Sequence, residues 1–255
     1  PAGECPIVTG ATSGIGEAIA ARLVAEGVRV VGAGRREAAL AELRERLGGE
    51  SFVGVAVDVS ADPDVAAATL ISAAEGAFGR CSVLVNSAGV GYNAPLLSGS
   101  TSDFAEVFAT NVVAVAALTR ELVADWHSRG LSRAHVVNLG SLSGHRVPGP
   151  GRLGVYAGSK FALRAITEGT RQELRLAGSP VRVTAVSPGL VETEFSANYN
   201  RVPEEERGSY NTERFARYKA IQAEDVAEAV LYALKQPPHL EVHDVLIRST
   251  EEMGI

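Results

Sequence analysis

The chain has little of what marks a secreted, membrane-spanning or nucleic-acid-binding protein. Two cysteines in 255 residues, Cys5 and Cys81, cannot build a disulfide framework, and no N-x-S/T acceptor occurs. A reducing compartment, the cytoplasm, is the expectation. The longest uninterrupted apolar run, Val112 to Leu118, has seven residues, against about 18 or more for a bilayer span. Bases are in deficit, 24 Lys and Arg against 30 Asp and Glu for a net charge of −6, so the chain lacks the electrostatic footprint of a partner for nucleic acid or an anionic membrane. Proline is scarce at 11 residues, with 46% hydrophobic and 21% charged composition, which excludes disorder as the dominant state. Pro1 stands a few residues ahead of the first strand-like run, so any signal or transit segment would have preceded it.

What is present is a strict alternation. Short β-branched runs at Cys5–Thr9, Val28–Ala33, Phe52–Val57, Ser82–Asn86, Ala134–Leu139, Val181–Val186 and Asp244–Ile247 predict seven strands. Between them, apolar spacings near 3.6 predict helices at Gly16–Glu26, Glu37–Leu47, Pro63–Phe78, Thr101–Arg129, Val155–Ala177 and Ala223–Lys235. Near-continuous apolar strands separated by helices imply a parallel sheet covered on both faces. The expected fold is a single doubly wound, Rossmann-type α/β domain over residues 1–255, with no linker or repeat to divide it. One connection, Leu190–Gln222, is long and charged and reads as a lid with its own short helices. It holds five of the chain's 14 aromatic residues, Phe195, Tyr199, Tyr210, Phe215 and Tyr218. An apolar inner face toward a hydrophobic substrate is expected, with anchoring of the loop as the alternative.

The first strand ends in Thr9-Gly10-Ala11-Thr12-Ser13-Gly14-Ile15-Gly16 and a helix opens at once. Glycines there permit a tight turn and let backbone N–H groups approach a pyrophosphate at the positive end of the helix. Tyr156 and Lys160 stand four apart on a predicted helix, share one face and can meet in one site. A free phenol titrates near ~10, and a neighbouring ammonium could lower it toward proton transfer. A surface Tyr/Lys pair is the bland alternative. Ser141 follows the fifth strand, where its hydroxyl could polarise a carbonyl; Ser143 competes for that role. Asn111 lies in an apolar helix run although asparagine is a poor helix former.

Taken in order, T-G-x-x-x-G-I-G, Asp58-Val59, Asn86-Ser87-Ala88-Gly89, Asn111, Ser141, Tyr156-x-x-x-Lys160 and Pro188-Gly189 followed by Thr193 resemble the short-chain dehydrogenase/reductase superfamily over most of the chain. That resemblance implies the strand order 3-2-1-4-5-6-7. It implies catalytic roles for Asn111, Ser141, Tyr156 and Lys160: Tyr156 gives the proton in reduction, Ser141 orients the substrate oxygen, Lys160 binds the nicotinamide ribose and acidifies Tyr156, and Asn111 holds a water of the proton relay. It implies dinucleotide contacts from Gly10, Thr12, Ser13, Gly14, Ile15, Gly16, Arg35, Arg36, Asp58, Val59, Asn86, Ala88, Gly89, Tyr156, Lys160, Pro188, Gly189, Val191 and Thr193, with Thr193 on the carboxamide. The spacing from Ser141 to Tyr156 is slightly longer than in the family, through Gly149-Pro150-Gly151. Members pair the long helices across a two-fold axis, so a homodimer or homotetramer is expected.

Coenzyme choice can be read at the end of the second strand. An acid there would accept hydrogen bonds from the ribose of NAD, whereas this chain has Gly34 followed by Arg35 and Arg36. A guanidinium suits a 2′-phosphate, which predicts NADP(H). His239 and His243 would lie ~13 Å apart on an extended segment, too far to share a metal ion, and no metal site is expected. Longer stretches, among them Ser143-Gly144-His145-Arg146-Val147 and Ser187-Pro188-Gly189-Leu190-Val191-Glu192-Thr193, resemble the animal dehydrogenase/reductase member 11 group and insect farnesol dehydrogenases. The resemblance implies an NADP(H)-dependent oxidoreductase for a hydrophobic carbonyl or alcohol, a ketosteroid or a terpenoid. A 3-hydroxy acid dehydrogenase or a non-catalytic dinucleotide sensor are the alternatives.

Overall fold

The computed structural model describes residues 5–131, 133–149, 153–216 and 218–252. Seven parallel strands, β1 (Cys5–Thr9), β2 (Val30–Gly34), β3 (Phe52–Ala56), β4 (Cys81–Asn86), β5 (His135–Leu139), β6 (Arg182–Pro188) and β7 (Asp244–Ile247), form one sheet in the order β3-β2-β1-β4-β5-β6-β7. Order and strand direction agree with the expectation from sequence. The small differences lie at strand ends, where β2 begins two residues later than its apolar run and β6 continues through Pro188. Strand order reverses between β1 and β4, which opens a crevice at the carboxyl ends of these two strands.

Each face of the sheet is covered by one layer of three helices because the strands are apolar on both sides. Helices α1 (Gly14–Ala25), α2 (Glu37–Leu47) and α9 (Ala223–Leu234) cover one face through Ile19, Leu23, Leu40, Leu43, Val226 and Val230. On the other face lie α3 (Pro63–Phe78), α5 (Ala114–Ser128) and α6 (Gly154–Leu176), with Leu70, Leu118, Leu122, Trp126 and Leu174 buried. Burial of a Leu of this kind contributes about 1.5–3 kcal/mol. Start signals match the chemistry of the sequence: Asp62 Oδ1 accepts from the Val65 amide at 3.1 Å ahead of Pro63, and Ser100 Oγ accepts from Asp103 N at 3.1 Å.

The stretch predicted as one α-helix over Thr101–Arg129 is interrupted. Helix α4 (Thr101–Phe108) passes into a π-helical turn, Ala109–Val113, before α5 resumes. The whole of Thr101–Ser128 is long and apolar enough to meet the length and composition of a membrane span; its buried side chains pack on the sheet and on α3, while Phe108 and Val113 are exposed. Residues 190–222 carry two further short helices, α7 (Phe195–Tyr199) and α8 (Arg207–Phe215). The base of this segment is closed by the Val191–Ile221 bridge and by Glu192 N donating to Ile221 O at 2.9 Å. Of the Gly149-Pro150-Gly151 extension, Pro150 and Gly151 lie outside the described residues.

Candidate active site

The β1–α1 turn is built around three backbone approaches. Gly10 has φ 69°, and a Cβ there would stand 2.9 Å from the Ala88 backbone. Gly14 has φ 53°, and its Cβ would meet the Thr193 side chain at 3.2 Å, so Thr193 sits directly against the turn. A Cβ on Gly16 would fall 2.3 Å from Gly10 O. Ser13 is the N-cap of α1, yet no side chain caps the first turn, and its amides face the crevice end of the sheet. Thr9 ties this turn to the next strand: its hydroxyl oxygen accepts from Ser87 N at 3.1 Å and Ala88 N at 3.0 Å. Thr12 lies against Gly34, whose Cβ would be 2.6 Å from Thr12 Cγ2. Ile15 packs against the α1 side of the core.

At the end of β2, Arg35 is largely exposed with its guanidinium 3.8 Å from Asp58. Arg36 donates to Thr12 O at 2.8 Å and lies 3.6 Å from Glu194. Asp58 accepts from Ser60 N and Oγ, and these hydrogen bonds outweigh burial in holding its carboxyl below the usual range. Val59 is buried in the core, so only its backbone can face a ligand. The same holds for Asn86: its side chain points inward, donating to Asn138 Oδ1 at 2.9 Å across paired strands. Gly189 donates its N–H to Ile247 O at 2.8 Å, just after Pro188 ends β6; Val191 is buried.

Asn111, Tyr156 and Lys160 converge on the loop after β4. In the π-turn, Asn111 Oδ1 accepts from Val90 N at 2.9 Å, while Nδ2 donates to Val90 O at 2.8 Å and Ser159 Oγ at 3.0 Å. The extra residue of the π-turn is thus matched by an asparagine whose amide is spent on the loop after β4 and on α6. Ser159 Oγ in turn donates to Tyr156 O at 2.7 Å. Lys160 Nζ donates to Leu139 O at 2.8 Å and lies 5.8 Å from the Tyr156 ring centre. A Cβ on Gly89 would lie 3.4 Å from Asn111 Oδ1 and 3.8 Å from Lys160 Nζ. Ser141 is extended, φ −170°, and caps a short 3₁₀ turn by accepting from Ser143 N at 3.0 Å. Ser143 itself is buried.

Burial pushes the Tyr156 phenol up to about 12, and a hydrogen bond with Ser141 acts in the opposite direction. Burial lowers Lys160 to about 8. Burial is the dominant influence on both groups. At neutral pH the phenol is protonated and the amine is largely an ammonium.

Two contributors carried no recognised motif. Ser159, inside the Tyr156-x-x-x-Lys160 span, was legible only as a polar residue at a fixed offset from tyrosine; Gly91 is the other. A Cβ there would meet Tyr156, Phe195 and Tyr199 at 2.9, 3.0 and 3.1 Å. These rings form a cluster with centroids 5.5 to 6.5 Å apart. Of the five aromatics in 190–222, Phe195 and Tyr199 thus face Tyr156, whereas Tyr210 accepts a hydrogen bond from Asn200 at 2.7 Å and holds the segment together. His145 pairs with Asp244 at 3.1 Å.

A family model described as short chain dehydrogenase matches residues 4–204. Dehydrogenase/reductase SDR family member 11 of Bos taurus is 38% identical over 252 residues, covering 97% of this chain and 96% of that protein. The farnesol dehydrogenase of Aedes aegypti is 35% identical over 257 residues, covering 98% of each. Among solved structures, the closed form of serine dehydrogenase complexed with NADP+ superposes with a TM-score of 0.87 at 28% identity, covering 98% of this chain and 96% of that one. With the ordered motifs, the sheet order and a matched family model in agreement, the chain belongs to the short-chain dehydrogenase family of oxidoreductases.

Proposed function

We propose that the protein is an NADP(H)-dependent carbonyl reductase or alcohol dehydrogenase acting on a hydrophobic substrate, with Ser141, Tyr156, Lys160 and Asn111 as its machinery. The observation that carries this reading is the convergence of Tyr156 with Ser141, Lys160 and the Asn111–Ser159 pair beside the β1–α1 turn. The turn fits a dinucleotide: three close-approach glycines and a helix start without a side-chain cap leave room and N–H donors for a pyrophosphate. Arg35, exposed after Gly34, suits a 2′-phosphate. The cofactor supplies or accepts a hydride when bound.

The chain's own residues then handle the proton. Ser141 donates toward the substrate oxygen and orients it; Tyr156, protonated at neutral pH, delivers a proton to that oxygen as the carbonyl is reduced. Lys160, held by Leu139 O, places positive charge near the phenol and steadies the phenolate that results. Asn111 positions the Val90 backbone and Ser159.

Residues 190–222 act as a lid in this reading. Phe195 and Tyr199 place apolar surface over Tyr156, which favours a ketosteroid or terpenoid over a 3-hydroxy acid. Arg201, a cation of the lid that could anchor an acid, is held by Asp103 at 2.5 Å and stacks on Tyr92. The similarity to farnesol dehydrogenase supports a terpenoid alcohol as the second reading. A screen of NADPH oxidation over ketosteroids, farnesal, aromatic diketones and 3-oxo acids tests the substrate class. Faster turnover of serine or 3-hydroxypropionate than of any steroid or terpenoid would refute the apolar site. Arg35→Asp should weaken NADPH and shift preference toward NADH; an unchanged ratio would place the phosphate elsewhere.

A further inference from the structure

Glu194 places an acid beside the turn that suits a pyrophosphate. It follows Thr193, whose side chain stands against Gly14 at the start of α1, and it immediately precedes α7 of the lid. In that position it could cap α7, yet its side chain makes no capping hydrogen bond. Among the described residues its carboxylate has one partner, the Arg36 guanidinium at 3.6 Å. Placed there, a carboxylate repels an incoming phosphate and holds a cation that the phosphate could use.

Arg36 is held from two sides. Its Nη2 donates to Thr12 O at 2.8 Å, which fixes the guanidinium at the β1–α1 turn. Nη1 faces Glu194 at 3.6 Å, a distance that gives charge proximity without a hydrogen bond. The neighbouring Arg35 stands 3.8 Å from Asp58, again beyond hydrogen-bond reach. The two cations that follow β2 are thus matched by two acids from other elements, and the four charges cancel. Both members of the Arg36–Glu194 pair are about half exposed, 50% and 48%, so solvent weakens their attraction. A phosphate oxygen at hydrogen-bond distance makes a stronger contact with a guanidinium and can take Nη1 from the carboxylate.

We propose that Glu194 tunes coenzyme selectivity from the lid, by competing with the coenzyme 2′-phosphate for Arg36. The inference rests on the NADP(H) reading above and adds to it a residue of the lid. While the pair is made, Arg36 is partly neutralised, and NADP(H) gains less over NAD(H) than two unpaired arginines would give. When phosphate takes Arg36, the carboxylate at the start of α7 is released, in the segment that sets Phe195 and Tyr199 against Tyr156. The 2′-phosphate and the first residues of the lid therefore share one guanidinium. By reciprocity, whatever moves Glu194 away from Arg36 favours the phosphate.

Calorimetric binding of adenosine 2′,5′-bisphosphate and of adenosine 5′-phosphate, which differ only in the 2′-phosphate, decides it on the full chain and on Glu194→Gln. The substitution keeps the shape of a half-exposed side chain that caps nothing, so the fold should persist. The ratio of the two dissociation constants should move in favour of the bisphosphate by about two- to fivefold. In an Arg36→Met background the same substitution should leave the ratio where Arg36→Met puts it. A gain of equal size there would assign the effect to general repulsion and overturn the competition; where that background binds too weakly to measure, the ratios of the parent and Glu194→Gln decide alone. A parent that prefers the bisphosphate, with an unchanged ratio in Glu194→Gln, would overturn the role of Glu194 and leave the NADP(H) reading standing. Equal binding of the two nucleotides by both parent and variant would overturn that reading itself.

Discussion

Asn111 gives the sharpest test of how the π-turn serves the site. Replacing it with Ala deletes three hydrogen bonds at once and leaves Val90 N, Val90 O and the Ser159 hydroxyl to find other partners. Ser159 already donates to Tyr156 O and loses only an incoming donor. The two Val90 groups, half-buried, carry most of the penalty. At about 1–3 kcal/mol for each group left unmet, less what partial access to water returns, the loss should be about 2–3 kcal/mol. For a chain of this length that is a fall in melting temperature of about 4–12 °C. Turnover should fall as well, because Gly89 and Val90 set the spacing between Asn111 and Lys160.

Asn111→Asp separates support from electrostatics. It keeps the acceptor for Val90 N and sets a carboxylate beside Lys160. Lys160, lowered to about 8 by burial, carries its charge below that pH and loses it above. An adjacent carboxylate favours the charged form and raises its titration. In the parent, kcat/KM for carbonyl reduction should decline above about pH 8, and in Asn111→Asp that limb should move to higher pH. A melting temperature unchanged in Asn111→Ala would refute the role given to the Val90 bonds. An alkaline limb that stays fixed in Asn111→Asp would refute the assignment of Lys160 to it.

Three further outcomes are expected. Tyr156→Phe removes the proton donor and keeps the ring against Phe195, so NADPH binding should persist by fluorescence titration while kcat drops at least ~10²-fold; near-parental turnover would remove Tyr156 from the reaction. Gly91→Val sets a branched side chain where even a Cβ comes within 2.9 to 3.1 Å of three rings, and should displace Phe195 and Tyr199 and raise KM for bulky substrates more than for small ones. An equal effect on both classes would argue that the cluster does not border the substrate. Phe108 and Val113 on the α4–α5 stretch and Phe161 on α6 remain exposed, which supports pairing of these helices across a two-fold axis; light scattering should give a dimer or tetramer, and a monomer at micromolar concentration would count against it.

The sequence alone determined the alternation of strand and helix, because strands buried on two faces must be apolar throughout and helices on one face must repeat near 3.6 residues. It also located the β1–α1 turn, where glycine is the residue that tolerates φ 69° at Gly10 beside the Ala88 backbone. Tyr156 and Lys160 were legible for the same reason: a spacing of four on a helix is itself a geometric statement. Contacts between segments far apart in the chain were not. That Asn111 breaks α4 into a π-turn depends on Val90, and that Gly91 must be bare depends on Tyr156, Phe195 and Tyr199 arriving from two other elements. Only the folded chain brings them within van der Waals reach. The protonation of Tyr156 and Lys160 was decided there too, since the sequence shows a phenol and an amine four residues apart, while their titration follows from how much water the surrounding strands and α7 exclude.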